Sequence, residues 1–187
     1  MKETDVFINC PFSADYNEHF WAIVFTVIRS GFDPRCAREA DDAGENRLDK
    51  ICRIIAECGF SIHDISNTEA DQGTGLPRFN MPLELGLFLG ASRYGVAAQK
   101  RKACLILDSD RYRYQVFCSD ISGQDIRAHH NEVDRALASV RNWLQTHLSR
   151  NAQLPGPSAI ASRYLEFRRQ LPFMVASYNL KPSELSF

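Results

Sequence analysis

A single carboxylate lies inside a strongly apolar stretch of this sequence. Glu84 is the one charged residue in the run from Met81 to Leu89, where the spacing, with Pro82 in the first turn, predicts a buried helix. The helix N-terminus favours the ionised acid and burial opposes it, so the two together tune its pKa. Such a carboxylate can attack C1 of a sugar or stabilise the cationic charge that develops there. Two structural alternatives stay open, in which Glu84 caps the helix or pairs with Arg78 or Arg93.

The elements that must position Glu84 alternate along the chain. Strands are predicted at 4–9, 32–36, 60–65 and 103–107, and helices at 15–29, 48–58 and 81–94. Because strand–helix–strand crossovers are right-handed, this order predicts an α/β fold with a mainly parallel sheet and helices on both faces. Tyr114 to Cys118 is predicted as a fifth strand, and 131–148 as an amphipathic helix.

Ligands of such sheets bind at the carboxyl ends of the strands, where Asp64 and Asp108 are expected. Phe12 is predicted either to stack on a base at this edge or to fill the core. Arg38 is predicted either to hold a phosphate or to be a solvated surface residue. His63 is a core histidine or a proton shuttle near Asp64. The predicted ligand contacts are Asn9, Pro11, Phe12, Arg38, Ser66 and Asn80.

The last part of the chain is predicted to be a separate addition. Leu154 to Pro157 indicates a linker, so residues 1–150 form the α/β domain and residues 151–187 a helical extension. Pro172 is expected to interrupt the helix of this extension. Lys181 to Leu185 resembles a helix start, which suggests that the chain is truncated at its carboxyl end.

Composition narrows the classes of partner. A chain of 187 residues with a net charge of −1 suits one domain and has no global field that recruits nucleic acid or anionic membrane. The longest apolar stretch, residues 20–28, is far short of a bilayer span, and the first residues are not a signal peptide, so we expect a cytoplasmic protein.

The six cysteines have no metal-ligand spacing, which predicts reduced structural thiols and no metal. The basic run 100–102 is expected to be a solvated loop, and His129-His130 a cap or surface pair.

Two segments resemble known families. Asp5-Val6-Phe7-Ile8-Asn9 resembles the first strand of Toll/interleukin-1 receptor (TIR) domains. The pattern Asp71, Gly75 and Glu84-Leu85-Gly86 is similar to the acidic motif of nucleoside 2-deoxyribosyltransferases. Both families have a flavodoxin-like three-layer fold, with a sheet of about five strands here, and place a glutamate on the helix after strand three. Glu84 is the position that matches both.

The resemblance implies cleavage or transfer of the N-glycosidic bond of NAD or a related nucleotide or nucleoside. In that case Glu84 acts at ribose C1, Asp64 and Asp71 orient the sugar and assist the leaving base, and NAD is a substrate rather than a cofactor. Self-association into a homo-oligomer and a role in bacterial-type immune signalling are also implied. The alternative is a non-catalytic TIR-like module that self-associates or binds a nucleotide signal.

Overall fold

A computed structural model describes residues 1–39, 42–70, 73–185 and 187. In it, a five-stranded sheet lies between two layers of helices. The strands are β1 (Lys2–Asn9), β2 (Asp33–Arg35), β3 (Cys58–Asp64), β4 (Ala103–Asp108) and β5 (Ile126–Ala128). The helices are α1 (Asn17–Arg29), α2 (Arg47–Glu57), α3 (Asn80–Tyr94), α4 (Tyr114–Phe117), α5 (Val133–Gln145) and α6 (Pro157–Ala176).

The strand order is β2-β1-β3-β4-β5, and every neighbouring pair is parallel. This is the order of the flavodoxin-like doubly wound fold, so the predicted fold class is confirmed. The register pairs Asn9 with His63 and Asp64 with Leu107, which brings the ends of β1, β3 and β4 to one edge of the sheet.

Alternation along β1 divides the core between the two faces of the sheet. Val6 and Ile8 pack with α1 and α5 on one face, while Phe7 packs with α2 and Phe88 of α3 on the other. Helix α6 forms an outer layer, because Tyr164 and its neighbours pack against the outer sides of α1 and α5. No described helix is long and apolar enough to cross a membrane.

The predicted strand from Tyr114 to Cys118 is wrong. Residues 114–117 form α4, and the fifth strand is Ile126–Ala128. Tyr114 is buried and Phe117 partly buried, whereas Val116 is 90% exposed. Inward residues three positions apart follow the period of a helix rather than the two-residue period of a strand.

Two further local predictions fail. Helix α6 continues through Pro172, because this residue is exposed and water can reach the carbonyl that loses its backbone donor. Lys102 is buried instead of solvated, since its ammonium group donates to the carbonyls of Ile55 and Cys58 at the end of α2. A cation there also complements the negative end of the helix dipole.

Candidate functional site

Glu84 and its neighbour Leu83 show a reversed pattern of exposure. The glutamate is 7% exposed in the second turn of α3, whereas Leu83 is 56% exposed. The helix therefore buries one face and not its whole circumference, contrary to the expectation from its apolar sequence. Packing alone would bury the leucine and expose the acid. The arrangement costs stability, so Glu84 is a strong candidate for a functional group.

A cavity of about 290 Å³ opens beside Glu84 at the carboxyl edge of the sheet. Two arginines, Arg47 at the start of α2 and Arg78 just before α3, contribute to its wall. Among the described residues, no ion pair joins Glu84 to Arg47, Arg78 or Arg93. The predicted pairing of Glu84 with Arg78 or Arg93 is therefore not found. Arg93 is exposed. The predicted contacts that line this cavity are Asn9, Pro11, Phe12 and Asn80.

Burial changes the acidity of Glu84. Removal from water raises the pKa of its carboxyl group to about 7, and the positive charge of Arg47 opposes this shift only in part. The group is therefore present in both the acid and the ionised form near neutral pH. A carboxyl group with this pKa can exchange a proton or carry a negative charge in the same pH range.

Asn9 connects the end of β1 to the start of α3. Its amide donates to the carbonyl of Met81 and to Nδ1 of His63, both at 2.9 Å. The first of these bonds holds the turn of α3 that carries Glu84. His63 is fully buried between the rings of Phe7 and Phe88, and burial lowers its pKa to about 3. His63 is thus a neutral core residue, as one of the two alternatives predicted.

Phe12 and Arg38 lie together at the rim. Phe12 lines the Glu84 cavity and also packs edge-on against Phe20, with ring centroids 5.5 Å apart. The Arg38 guanidinium lies 5.2 Å from the centre of the Phe12 ring. Arg38 is exposed and does not line the cavity, so its structural role here is to cover Phe12.

Asp64 lies beneath the site and does not line the Glu84 cavity. Its carboxylate is fully buried and accepts hydrogen bonds from the Tyr16 hydroxyl and from the Ser66 backbone at 2.9 Å. His129 Nε2 lies 3.1 Å from the same carboxylate. Burial alone would raise the pKa of Asp64, but these partners reverse the effect and hold it below its usual value. Asp64 is therefore placed to orient Tyr16 and His129.

His129 is a buried residue, contrary to the surface or cap role predicted for it. Its Nδ1 accepts a hydrogen bond from the backbone of Asn131 at 3.0 Å, which leaves the ring proton on Nε2, facing Asp64. His130 and Asn131 both have a left-handed backbone, with φ of 53° and 57°. Such conformations are strained in residues other than glycine and are concentrated at functional sites.

A second cavity, of about 370 Å³, adjoins the first. The two share Pro11, Ser13 and Asn67 as walls. Ser66, another predicted contact, lines only the second cavity. The sheet edge thus presents two adjacent compartments, with Glu84 lining one of them. The other residues that line the second compartment are Asp15, Tyr16, His19, Glu69, Ser109 and Asn131.

Arg113 fixes the loop that follows β3. Its guanidinium pairs with the buried carboxylate of Asp108 at 2.7 Å and donates to the carbonyls of Ile65 and Ser66. It also donates to the Thr68 hydroxyl at 3.0 Å. One cation therefore joins the ends of β3 and β4. Burial raises the pKa of Asp108, and Arg113 offsets part of that shift.

Sequence reasoning missed several residues at this edge. Tyr16 and His19 lie at the start of α1, and Arg47 begins α2. No sequence motif marks any of these three residues. The predicted catalytic residue Asp71 lies outside the described residues. Within the described part of the chain, no group of three or more His, Cys, Asp or Glu side chains is arranged to hold a metal ion.

The chain resembles known proteins in its structure and not in its sequence. No protein-family model matches the chain, and no curated protein matches its sequence significantly. The TIR domains of the activated Roq1 resistosome directly recognizing the pathogen effector XopQ superpose with a TM-score of 0.47 at 14% identity, over 88% of this chain and 98% of that one. Diflavin flavoprotein A3 from Nostoc sp. superposes with a TM-score of 0.42 at 15% identity, over 78% of this chain and 96% of that one. At these TM-scores neither likeness carries an argument about function.

Proposed function

We propose that this chain cleaves or transfers the N-glycosidic bond of a nucleotide, with Glu84 acting at ribose C1. The observation that carries the proposal is the state of Glu84, a buried carboxyl group on a cavity wall without an ion pair among the described residues. A buried charge without a partner is costly, and a cationic sugar centre would supply the missing partner.

The chemistry requires one carboxylate and a good leaving group. As the C1–N bond breaks, its electron pair goes to the base nitrogen, and the positive charge left on the sugar is stabilised or captured by ionised Glu84. A pyridinium base such as the nicotinamide of NAD leaves as a neutral molecule and needs no proton. Water or another hydroxyl then bonds to C1 and loses its proton.

The two arginines support a phosphorylated substrate. Arg47 and Arg78 line the same cavity as Glu84, and guanidinium groups bind phosphate oxygens through paired hydrogen bonds. Phe12 offers an aromatic ring at the same cavity for a base to stack on. These side chains favour NAD or another nucleotide over an unphosphorylated nucleoside.

The test is release of free base by wild type and by Glu84→Gln. The protein is incubated with NAD and with a panel of nucleosides, and nicotinamide or nucleobase is followed by chromatography. We expect release from NAD by wild type and a loss of about a hundredfold or more in the variant, because an amide cannot take the negative charge. Exposed Glu3→Gln is the matched control and should keep full activity.

Two outcomes would overturn the proposal. Equal release by wild type and Glu84→Gln would remove Glu84 from the reaction. No release by concentrated wild-type protein, together with measurable binding of NAD, would favour a module that binds a nucleotide without cutting it. Self-association and a signalling role belong to the proposal only through the sequence resemblance, and the mass of the protein in solution with and without NAD tests the first of them.

A further inference from the structure

The outward face of α3 has no polar side chain along most of its length. Between residues 81 and 91 the only polar residue is Glu84, and it is buried on the inner face. The exposed face of a helix in a soluble domain normally carries polar residues. Here three large apolar side chains are exposed instead, with 51% of Phe79, 56% of Leu83 and 84% of Tyr94 open to water.

These side chains belong to one continuous stripe. With 3.6 residues per turn, positions 79, 83, 86, 87, 90 and 94 fall within about 100° of one another around the helix axis. Gly86 is exposed, and Leu87 and Gly90 are partly exposed. Soluble monomers rarely leave a contiguous apolar patch of more than a few hundred Å² in water. The α3 stripe, as we call this set, consists of Phe79, Leu83, Gly86, Leu87, Gly90 and Tyr94.

The two glycines of the α3 stripe are not explained by packing within the chain. Both lie inside the helix, where glycine is destabilising relative to alanine. A β-carbon added at Gly86 or Gly90 would meet no described atom within 4 Å outside its own stretch of helix. A glycine on an exposed helix face lets another backbone approach closely. The stripe therefore has the shape that a second helix requires.

The order of large and small residues along the stripe is complementary to itself. In an antiparallel pair of α3 helices with a two-fold axis at the level between residues 86 and 87, Leu83 faces Gly90 of the partner subunit. The same symmetry brings Phe79 to the level of the partner subunit's Tyr94, where the two rings can pack. Each of these contacts occurs twice, as in any isologous interface. Antiparallel helices also bring opposite ends of their dipoles together.

Two further apolar side chains extend the contact beyond the helix. Leu76 precedes the stripe and Val96 follows it, with 68% and 72% of their areas exposed. Antiparallel packing brings Leu76 of one copy toward the end of the helix that Val96 follows in the other. The five exposed side chains supply roughly 600 Å² per copy, somewhat less than the roughly 800 Å² that each partner buries in a standard complex. The area therefore fits a weak dimer.

We infer that the α3 stripe is the contact surface of a weak, two-fold symmetric homodimer. This inference goes beyond the proposed function and does not depend on it. The contact uses the outer face of α3, whereas Glu84 lies on the inner face. A second copy of this chain is the partner because the stripe complements itself, large residue over small. A closed contact of this kind stops at two copies.

The experiment measures association of the full chain by sedimentation equilibrium. Leu83→Glu places a charge in the contact, and Gly90→Gln fills the space that the partner's leucine would occupy. Both variants should fold, because Leu83 is exposed and the space outside Gly90 is open. Leu165→Glu is the matched control. Leu165 is 53% exposed on α6, which packs on the opposite side of the sheet from α3.

We expect wild type and Leu165→Glu to dimerise with a Kd on the order of 10–100 μM. Leu83→Glu and Gly90→Gln should weaken the dimer about tenfold or more, since one buries an unpaired charge and the other a clash. Gly90→Gln should also unfold at a higher temperature than wild type under conditions where both are monomeric, because glutamine is the better helix former. Weaker association of a more stable chain would support the contact and exclude unfolding as its cause.

Three outcomes would overturn the inference. The first is a wild type that stays monomeric at about ten times the upper end of that range. The second is a dimer equally strong in wild type and Leu83→Glu, since the contact would then lie elsewhere. The third is growth of wild type beyond two copies, because an isologous contact closes at the dimer.

Discussion

Glu84 has an electrostatic consequence for folding as well as for chemistry. In the folded chain its pKa is about 7, well above the value of an exposed glutamate. A raised carboxyl pKa means that the neutral form is the one the fold accommodates. The associated stability is complete at acid pH and is lost as the pH rises through 7.

Glu84→Gln should therefore be more stable than wild type at about pH 8 and equal to it at about pH 4. Linkage gives a gain in the free energy of unfolding on the order of 3 kcal/mol above neutral pH, since glutamine carries no charge to bury. Urea denaturation at both pH values measures the difference, with exposed Glu3→Gln as the control. A gain that is the same at both pH values would contradict the assignment of the pKa.

Arg47 and Arg78 should distinguish phosphorylated from unphosphorylated ligands. Replacing either by glutamine removes a charge-assisted contact, and we expect the KM for NAD to rise about tenfold to a hundredfold. The KM for a nucleoside should change little, because it has no phosphate. Steady-state kinetics with both substrates measures this split, and Arg163→Gln on the exposed surface of α6 is the control. Equal increases for both substrates would argue against phosphate binding.

Glu84 was identifiable from the sequence because an isolated charge in an apolar helical run is a local signal. The residues that surround Glu84 were not identifiable from the sequence. Asp64 meets Tyr16 and His129 from segments far apart in the chain. Arg47 begins α2, and Arg78 lies just before α3. Only the packing of β3 against its neighbours decides that Asp64 lies under the site instead of on its wall.

At the scale of elements, Arg113 holds the first residues of the loop that follows β3. Arg113→Met should reduce the free energy of unfolding by about 3 kcal/mol, because it leaves the carboxylate of Asp108 buried without its partner. Amide hydrogen exchange should also increase at residues 65–68, whose contacts to the guanidinium are lost. Exchange measured by mass spectrometry and urea denaturation test the two effects.

The double variant Arg113→Met with Asp108→Asn separates loss of the charge pair from loss of packing. It should recover part of the stability, since no unpaired charge then remains buried. Destabilisation equal to or greater than that of the single variant would show that the pair is not the source of the effect.

The β–α alternation was predictable because apolar periodicity and glycine stops are local features. The secondary structure of the segment 114–128 was not predictable, because its few apolar residues fit a short strand or one helical turn equally well. The choice depends on β4, whose end supplies the partners of β5 and the surface on which Tyr114 packs. The burial of Lys102 was missed for a related reason, because the carbonyls that accept hydrogen bonds from its ammonium group belong to α2 and to the start of β3.

At the scale of the whole molecule, α6 is attached through a small apolar contact. Tyr164 is 1% exposed, and its hydroxyl donates to the carbonyl of Glu18 at 3.1 Å. Ile160 lies beside it against Ala22 of α1 and Leu137 of α5. The stability of the chain should therefore depend on the contact that Tyr164 and Ile160 make with α1 and α5.

Tyr164→Ala should lower the free energy of unfolding by about 3 kcal/mol or more, because it opens a void between α1, α5 and α6. Phe173→Ala in the same helix is the matched control. Phe173 is 81% exposed, so its removal should change stability by less than about 0.5 kcal/mol. Thermal and urea unfolding measure both, and similar losses for the two variants would contradict the packing described for Tyr164.

The two outer strands of the sheet determine how copies of this chain can meet. Both β2 and β5 are three residues long, and Pro34 in β2 has no backbone N–H to donate. Short edges of this kind are poor templates for pairing with a strand of another molecule. The folded chain is thereby protected against cross-β aggregation, and contacts between helices or loops are favoured over strand pairing in any self-association.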